Sequence, residues 1–66
     1  MISFASVLRH WRKERGYTQQ QMAKFLSVHR STYTKYELGT VEPTLEALCR
    51  LADVLECTTD ALLGRE

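Results

Sequence analysis

Apolar residues in this chain recur at three- and four-residue intervals, and roughly every ten residues a capping residue or a glycine interrupts the pattern. That punctuation leaves room for short helices and little else. Phe4, Leu8 and Trp11 fall at i, i+4 and i+7, with Arg9, Lys13 and Glu14 off the stripe, and Gly16 is placed to end the segment. Thr18-Gln-Gln-Gln21 has the spacing of a capping box, in which the threonine hydroxyl accepts from the N3 amide and the N3 glutamine bonds back to the cap. Met22, Ala23 and Leu26 then make the apolar stripe of a second helix of about two turns. Ser27 and Val28 form a tight turn, and a third helix is expected from about Arg30 to Leu38, closed by Gly39. Thr44 caps a fourth helix with the stripe Leu45, Leu48, Leu51, Ala52 and Leu55. Thr58 or Thr59 caps a short fifth helix with Ala61, Leu62 and Leu63, and Asp60 suits its first turn. No alternating run of β-branched residues bounded by a hairpin dipeptide competes with this reading.

Sixty-six residues make one domain, expected over 1–66. Its composition, 44% hydrophobic and 26% charged, is that of an ordinary globular domain. No apolar run could cross a membrane, and the N-terminus lacks the pattern of a secretory signal, so a cytoplasmic location is expected. Cys49 and Cys57 read best as reduced core thiols. A disulfide, or a metal site with His10 or His29, has no ligand spacing behind it. The chain also lacks a glycine-rich phosphate loop, a nucleophile elbow, a metalloprotease helix and paired carboxylates, and its own core should leave no sizeable pocket. No enzyme, cofactor or small-molecule ligand is therefore expected.

The formal charge of +1 conceals a division. Residues 1–39 hold seven basic and two acidic side chains, a net of +5, while residues 40–66 carry a net of −4. Such polarity suits a chain that turns one face to a polyanion. On a wheel of about 100° per residue, with Arg30 at zero, Thr34, Leu38, Ser31 and Lys35 fall within roughly 140° of arc. Tyr33, His29 and Tyr36 lie on the opposite side, and Glu37 lies at the margin of the inward face. A capped helix, a tight turn and a helix with a polar outer face can set the first helix across a phosphate backbone and the second against base edges, with free amides at the helix N-termini.

The run Thr18-Gln-x-x-Met22-Ala23-x-x-Leu26-Ser27-Val28, then Arg30-Ser-Thr-Tyr-Thr-Lys-Tyr-Glu37-x-Gly39 and Pro43-Thr44-Leu45, resembles the phage Cro/repressor-type (XRE-like) helix-turn-helix regulators. Leu8 and Arg12 upstream and Cys57-Thr-Thr-Asp-Ala-Leu62 downstream extend the likeness over nearly the whole chain. It implies an all-α, compact five-helix, lambda-repressor-like DNA-binding domain, with the helix-turn-helix formed by helices 2 and 3. The expected function is that of a sequence-specific regulator of transcription, a repressor and autoregulatory, that inserts the helix at about 29–38 into the major groove. Double-stranded DNA would be the partner, bound by a homodimer on a pseudo-palindromic operator. The alternative is an antitoxin-like or adaptor module whose main partner is a protein, and a third reading is the N-terminal part of a longer chain.

Position by position, the resemblance makes Arg30, Ser31, Thr34 and Lys35 base contacts, with Arg30 suited to guanine N7 and O6. Leu38 could meet a thymine methyl or a partner subunit. Gln19 matches the family's phosphate-contacting glutamine, and Thr18 acts as a cap alone or as a cap and phosphate donor. His29 stands where the family has a better capping residue and is assigned to phosphate. Thr40 opens a loop without lysine or arginine, so phosphate contacts there would come from backbone amides, which makes binding weaker or less salt-sensitive. Arg12 and Glu37 are expected to form a structural ion pair, and Trp11, Tyr33 and Tyr36 to anchor the core. Ser27 replaces the usual turn glycine and would need positive φ. Dimer contacts are expected around the fifth helix, with Leu63, Val41 and Ile2 as apolar patches.

Overall fold

The computed structural model describes residues 3–65, so Ile2 lies outside the described residues. Five helices follow one another: α1 (Phe4–Glu14), α2 (Gln19–Leu26), α3 (Arg30–Leu38), α4 (Leu45–Leu55) and α5 (Thr59–Leu62). Four begin on a hydroxyl that accepts from the N3 amide: Ser3, Thr18, Thr44 and Thr58. At Thr18 the box is reciprocal, since its amide also donates to Gln21 Oε1 at 2.8 Å. His29 precedes α3 in extended conformation and gives no side-chain cap bond.

The five helices end alike. One residue turns left-handed or nearly so, and the next amide donates back five residues: Tyr17 to Arg12, Val28 to Ala23, Thr40 to Lys35, Cys57 to Ala52 and Arg65 to Asp60. Three of the turning residues are glycines, but Ser27 (φ 56°) and Glu56 (φ 55°) are not. Ser27 therefore takes the positive φ its place in the turn demanded. Glu56 does the same without any local sequence signal having marked it.

α3 packs on α2 and α1, α4 lies against α2 and α5, and α5 also touches α1. The core between them contains Leu8, Met22, Ala23, Leu26, Tyr33, Tyr36, Leu51, Ala52, Leu55 and Leu62. Burial on α4 departs from its expected stripe. Leu51 is fully buried, Leu48 partly, and Leu45 is 82% exposed. Periodicity identifies the face of a helix but not how far along it the neighbours reach, and the first turn of α4 runs beyond the core. Cys49 is exposed and Cys57 half-buried, both free of disulfide, so the expectation of two core thiols fails at Cys49. Its place, about 60° beyond Ala52 around α4, takes it off the buried arc. Trp11 is only half-buried, with the Arg15 guanidinium 5.2 Å from its ring centre. Among the described residues, no helix is long and apolar enough to cross a membrane.

Candidate nucleic-acid interface

α3 owes its orientation to a polar cluster on its inner margin. Glu37 is buried, and Arg12 on α1 reaches it with a fork: Nε donates to Oε2 at 2.6 Å and a terminal nitrogen to Oε1 at 3.1 Å. The remaining terminal nitrogen of Arg12 donates to the Tyr17 carbonyl at 3.0 Å, fixing the α1–α2 connection. One turn before Glu37, the Tyr33 hydroxyl donates to Oε2 at 2.6 Å. From the first position of α2, Gln19 Nε2 donates to Oε1 at 3.1 Å. Burial alone would push the Glu37 carboxyl up, but the bonds from Arg12, Tyr33 and Gln19 and the guanidinium charge hold it below the ordinary carboxylate range. Burial and the adjoining carboxylate push the Tyr33 phenol well up, so it stays a proton donor. α1, α2 and α3 thus meet on one carboxylate, with no buried side-chain nitrogen or oxygen left unpartnered among the described residues.

The opposite side of α3 is open. Arg30, Ser31, Lys35 and Leu38 are exposed, Leu38 at 69%. Thr34 belongs to the same arc but is half-buried, because it abuts the start of α2 and its hydroxyl donates to Gln19 Oε1 at 3.3 Å. Gln19 is accordingly held at both ends of its amide, and sequence reasoning that made it a free phosphate contact missed both bonds. Thr18 is exposed and its hydroxyl oxygen serves the cap, accepting from the Gln21 amide at 3.0 Å. His29 is exposed beside the first turn of α3. The Thr40 amide, expected to serve phosphate, donates instead to the Lys35 carbonyl at 3.1 Å, and its hydroxyl is 3.5 Å from the same oxygen. The closing turn of α3 consumes that amide.

Nine residues of α3 span about 13 Å, a length that suits a groove about 12 Å wide. Among the described residues, no group of three histidine, cysteine or acidic side chains could hold a metal ion. Grooves exist, contrary to the expectation from core size. One of about 340 Å³ runs among Phe4, Glu42, Pro43, Leu45, Leu48 and Leu63, and another of about 230 Å³ lies where α4 meets Leu26, Val28 and Tyr36.

The helix-turn-helix family model matches residues 8–62. The chain belongs to the Cro/repressor-type helix-turn-helix family. It is 45% identical over 60 residues to the SPbeta prophage-derived uncharacterized HTH-type transcriptional regulator YonR of Bacillus subtilis, covering 91% of this chain and 56% of that protein. With the HTH-type transcriptional regulator AnsR of the same organism it shares 46% over 59 residues, 89% of this chain and 51% of AnsR. This helix-turn-helix chain therefore spans about half the length of the curated relatives it matches. Among solved structures, the P22 c2 repressor protein in complex with a synthetic operator aligns over 100% of both chains, at a TM-score of 0.91 and 26% identity. The five-helix, lambda-repressor-like fold expected from the sequence is the one observed, with helices 2 and 3 as its helix-turn-helix.

Proposed function

We propose that this chain binds double-stranded DNA sequence-specifically and regulates transcription, as a repressor in the cytoplasm and without enzymatic activity. The observation that carries the proposal is the exposed polar arc of α3, on a fold that aligns end to end with a repressor in complex with operator. In this reading α3 enters the major groove, and Arg30, Ser31, Thr34 and Lys35 face base edges. Thr18 and His29 serve phosphates at the N-termini of α2 and α3, where unpaired amides and the helix dipole favour an anion. The similarity to regulators and repressors supports DNA over the antitoxin-like or adaptor alternative.

A homodimer on a pseudo-palindromic site completes the proposal, since one such domain reads few base pairs. Val41 and Leu63 are exposed, and Leu45 and Leu63 both line the groove that includes Phe4, Pro43 and Leu48. This apolar border is assigned to the partner subunit. Selection of a duplex from a random library, followed by titration, tests the DNA reading. Arg30→Ala should cost about 1–3 kcal/mol on the selected duplex and much less on random DNA. Selected-site affinity untouched by both Arg30→Ala and Lys35→Ala would remove α3 as the reading element.

A further inference from the structure

We infer that Thr34 meets the major groove as a hydrogen-bond acceptor only, so that the base edge facing it carries an amino group, adenine N6 or cytosine N4. The inference rests on the DNA-binding reading above and follows a chain of forced bond directions that starts at Glu37. An ionised carboxylate has acceptors and no donor. All four bonds to Glu37 therefore run inward, from Arg12 twice, from Tyr33 and from Gln19. Gln19 must turn its NH₂ group to the carboxylate, because its carbonyl oxygen there would place oxygen against oxygen with no hydrogen between. The amide cannot flip, and Oε1 is left toward α3. At Oε1 it meets the Thr34 hydroxyl at 3.3 Å, and a carbonyl oxygen can only accept. The single hydroxyl hydrogen of Thr34 is thereby assigned to Gln19.

A free threonine hydroxyl rotates to give or take a hydrogen bond and so tolerates any base edge. Held in this way, Thr34 keeps only its lone pairs for DNA. In the major groove adenine offers the N6 amino group and cytosine the N4 amino group, whereas guanine shows N7 and O6 and thymine shows O4, all acceptors. Guanine or thymine at this position would oppose oxygen to oxygen, or draw the hydroxyl away and strand Gln19 Oε1. Arg12, although it lies on α1, thus takes part in setting the direction of a bond read on the outer face of α3.

The test begins with duplexes selected by the chain from a random library. Affinities are then measured for the selected duplex and all single base-pair changes, using wild type, Thr34→Val and Gln19→Ala, each checked for native helical content. In wild type, one position per half-site should favour adenine or cytosine over guanine and thymine by about three- to tenfold, the worth of one neutral hydrogen bond. Thr34→Val, close in shape but without the hydroxyl, should lose that preference and leave the other positions as they were. Gln19→Ala releases the hydroxyl hydrogen, so guanine and thymine should become nearly as acceptable there. If Gln19 also touches a phosphate, its removal lowers all affinities together and cancels in the ratio. The inference is overturned if the position altered by Thr34→Val favours guanine or thymine, if no position changes, or if Gln19→Ala keeps the wild-type preference. A wild-type chain that selects no sequence overturns the DNA-binding reading itself, and this inference with it.

Discussion

At the scale of residues, most of the energetic risk lies in Glu37. Its side chain is 3% exposed and that of Arg12 is 12% exposed, so neither charge is solvated well enough to stand alone. Replacing one partner of a buried pair strands the other, and Arg12→Ala should cost about 3–5 kcal/mol. A domain of this size has stability on the order of 5 kcal/mol, so thermal melts of Arg12→Ala should show it largely unfolded near body temperature. The same carboxylate makes stability depend on pH. Its folded pKa lies below the unfolded value, so its contribution is complete above about pH 4.3 and is lost as pH falls through the folded value. Wild type should therefore lose melting temperature faster than Glu37→Gln between about pH 5 and pH 3. Parallel melting curves would show that Glu37 is not held below its ordinary range. The sequence placed Arg12 and Glu37 together through a family resemblance. That Gln19 joins them could be told only once α2 was set against α3, because no local pattern relates residues eighteen positions apart. Tyr33, by contrast, stands one turn before Glu37 on the same helix, at a spacing the sequence shows.

Among the elements, the ends of the helices matter more than their middles. α2 and α4 each close on a non-glycine residue held at φ near 55°. Ser27→Gly and Glu56→Gly should each stabilise the chain by about 0.5–1 kcal/mol, with the strain of the left-handed turn removed and part of the gain lost to backbone entropy. Each would raise the melting temperature by a few degrees, about 4–8 °C per kcal/mol for such a domain. No increase for either would mean that the two turns are unstrained. Arg15 shows the converse case. In the sequence it is one of many basic residues, but its guanidinium donates to the Leu55 carbonyl at 2.7 Å and to that of Glu56 at 3.2 Å. It therefore satisfies the end of α4 from the end of α1, where the negative pole of the helix favours a cation. Arg15→Ala should lower stability by about 1–2 kcal/mol in denaturant titration. If the effect on DNA affinity were the larger one, Arg15 would belong to the binding face instead.

For the whole molecule, the division of charge and the apolar border combine into one arrangement. The basic first part of the chain supplies the helix-turn-helix, and the acidic second part supplies α4 and the border of Leu45 and Leu63. On the proposed reading, which sets DNA on one and a second copy on the other, the two surfaces can be separated by experiment. Leu45→Ser with Leu63→Ser should leave the helical content and melting temperature close to wild type, since both side chains are substantially exposed. In sedimentation the double variant should stay monomeric at concentrations where wild type self-associates. A wild type that remains monomeric while binding its site would place the partner surface elsewhere.

By itself, the sequence determined where most of the helices start and stop, the end of α4 at Glu56 excepted. Capping hydroxyls, turn residues and three- and four-residue spacing act within one or two turns of the chain, so Thr18, Gly39, Thr44 and the buried faces of α2 and α3 could be read directly. Only the tertiary structure decided how deep each face lies and which polar groups remain available. Leu45 continues an apolar stripe yet is exposed, on the rim of the groove it shares with Phe4 and Leu63. Gln19 and Thr34 look free on their own helices, but the crossing of α2 and α3 binds them to each other and to Glu37. Hydrogen-bond directions across such a crossing depend on which acceptor sits at the centre, and that is a property of the packed molecule.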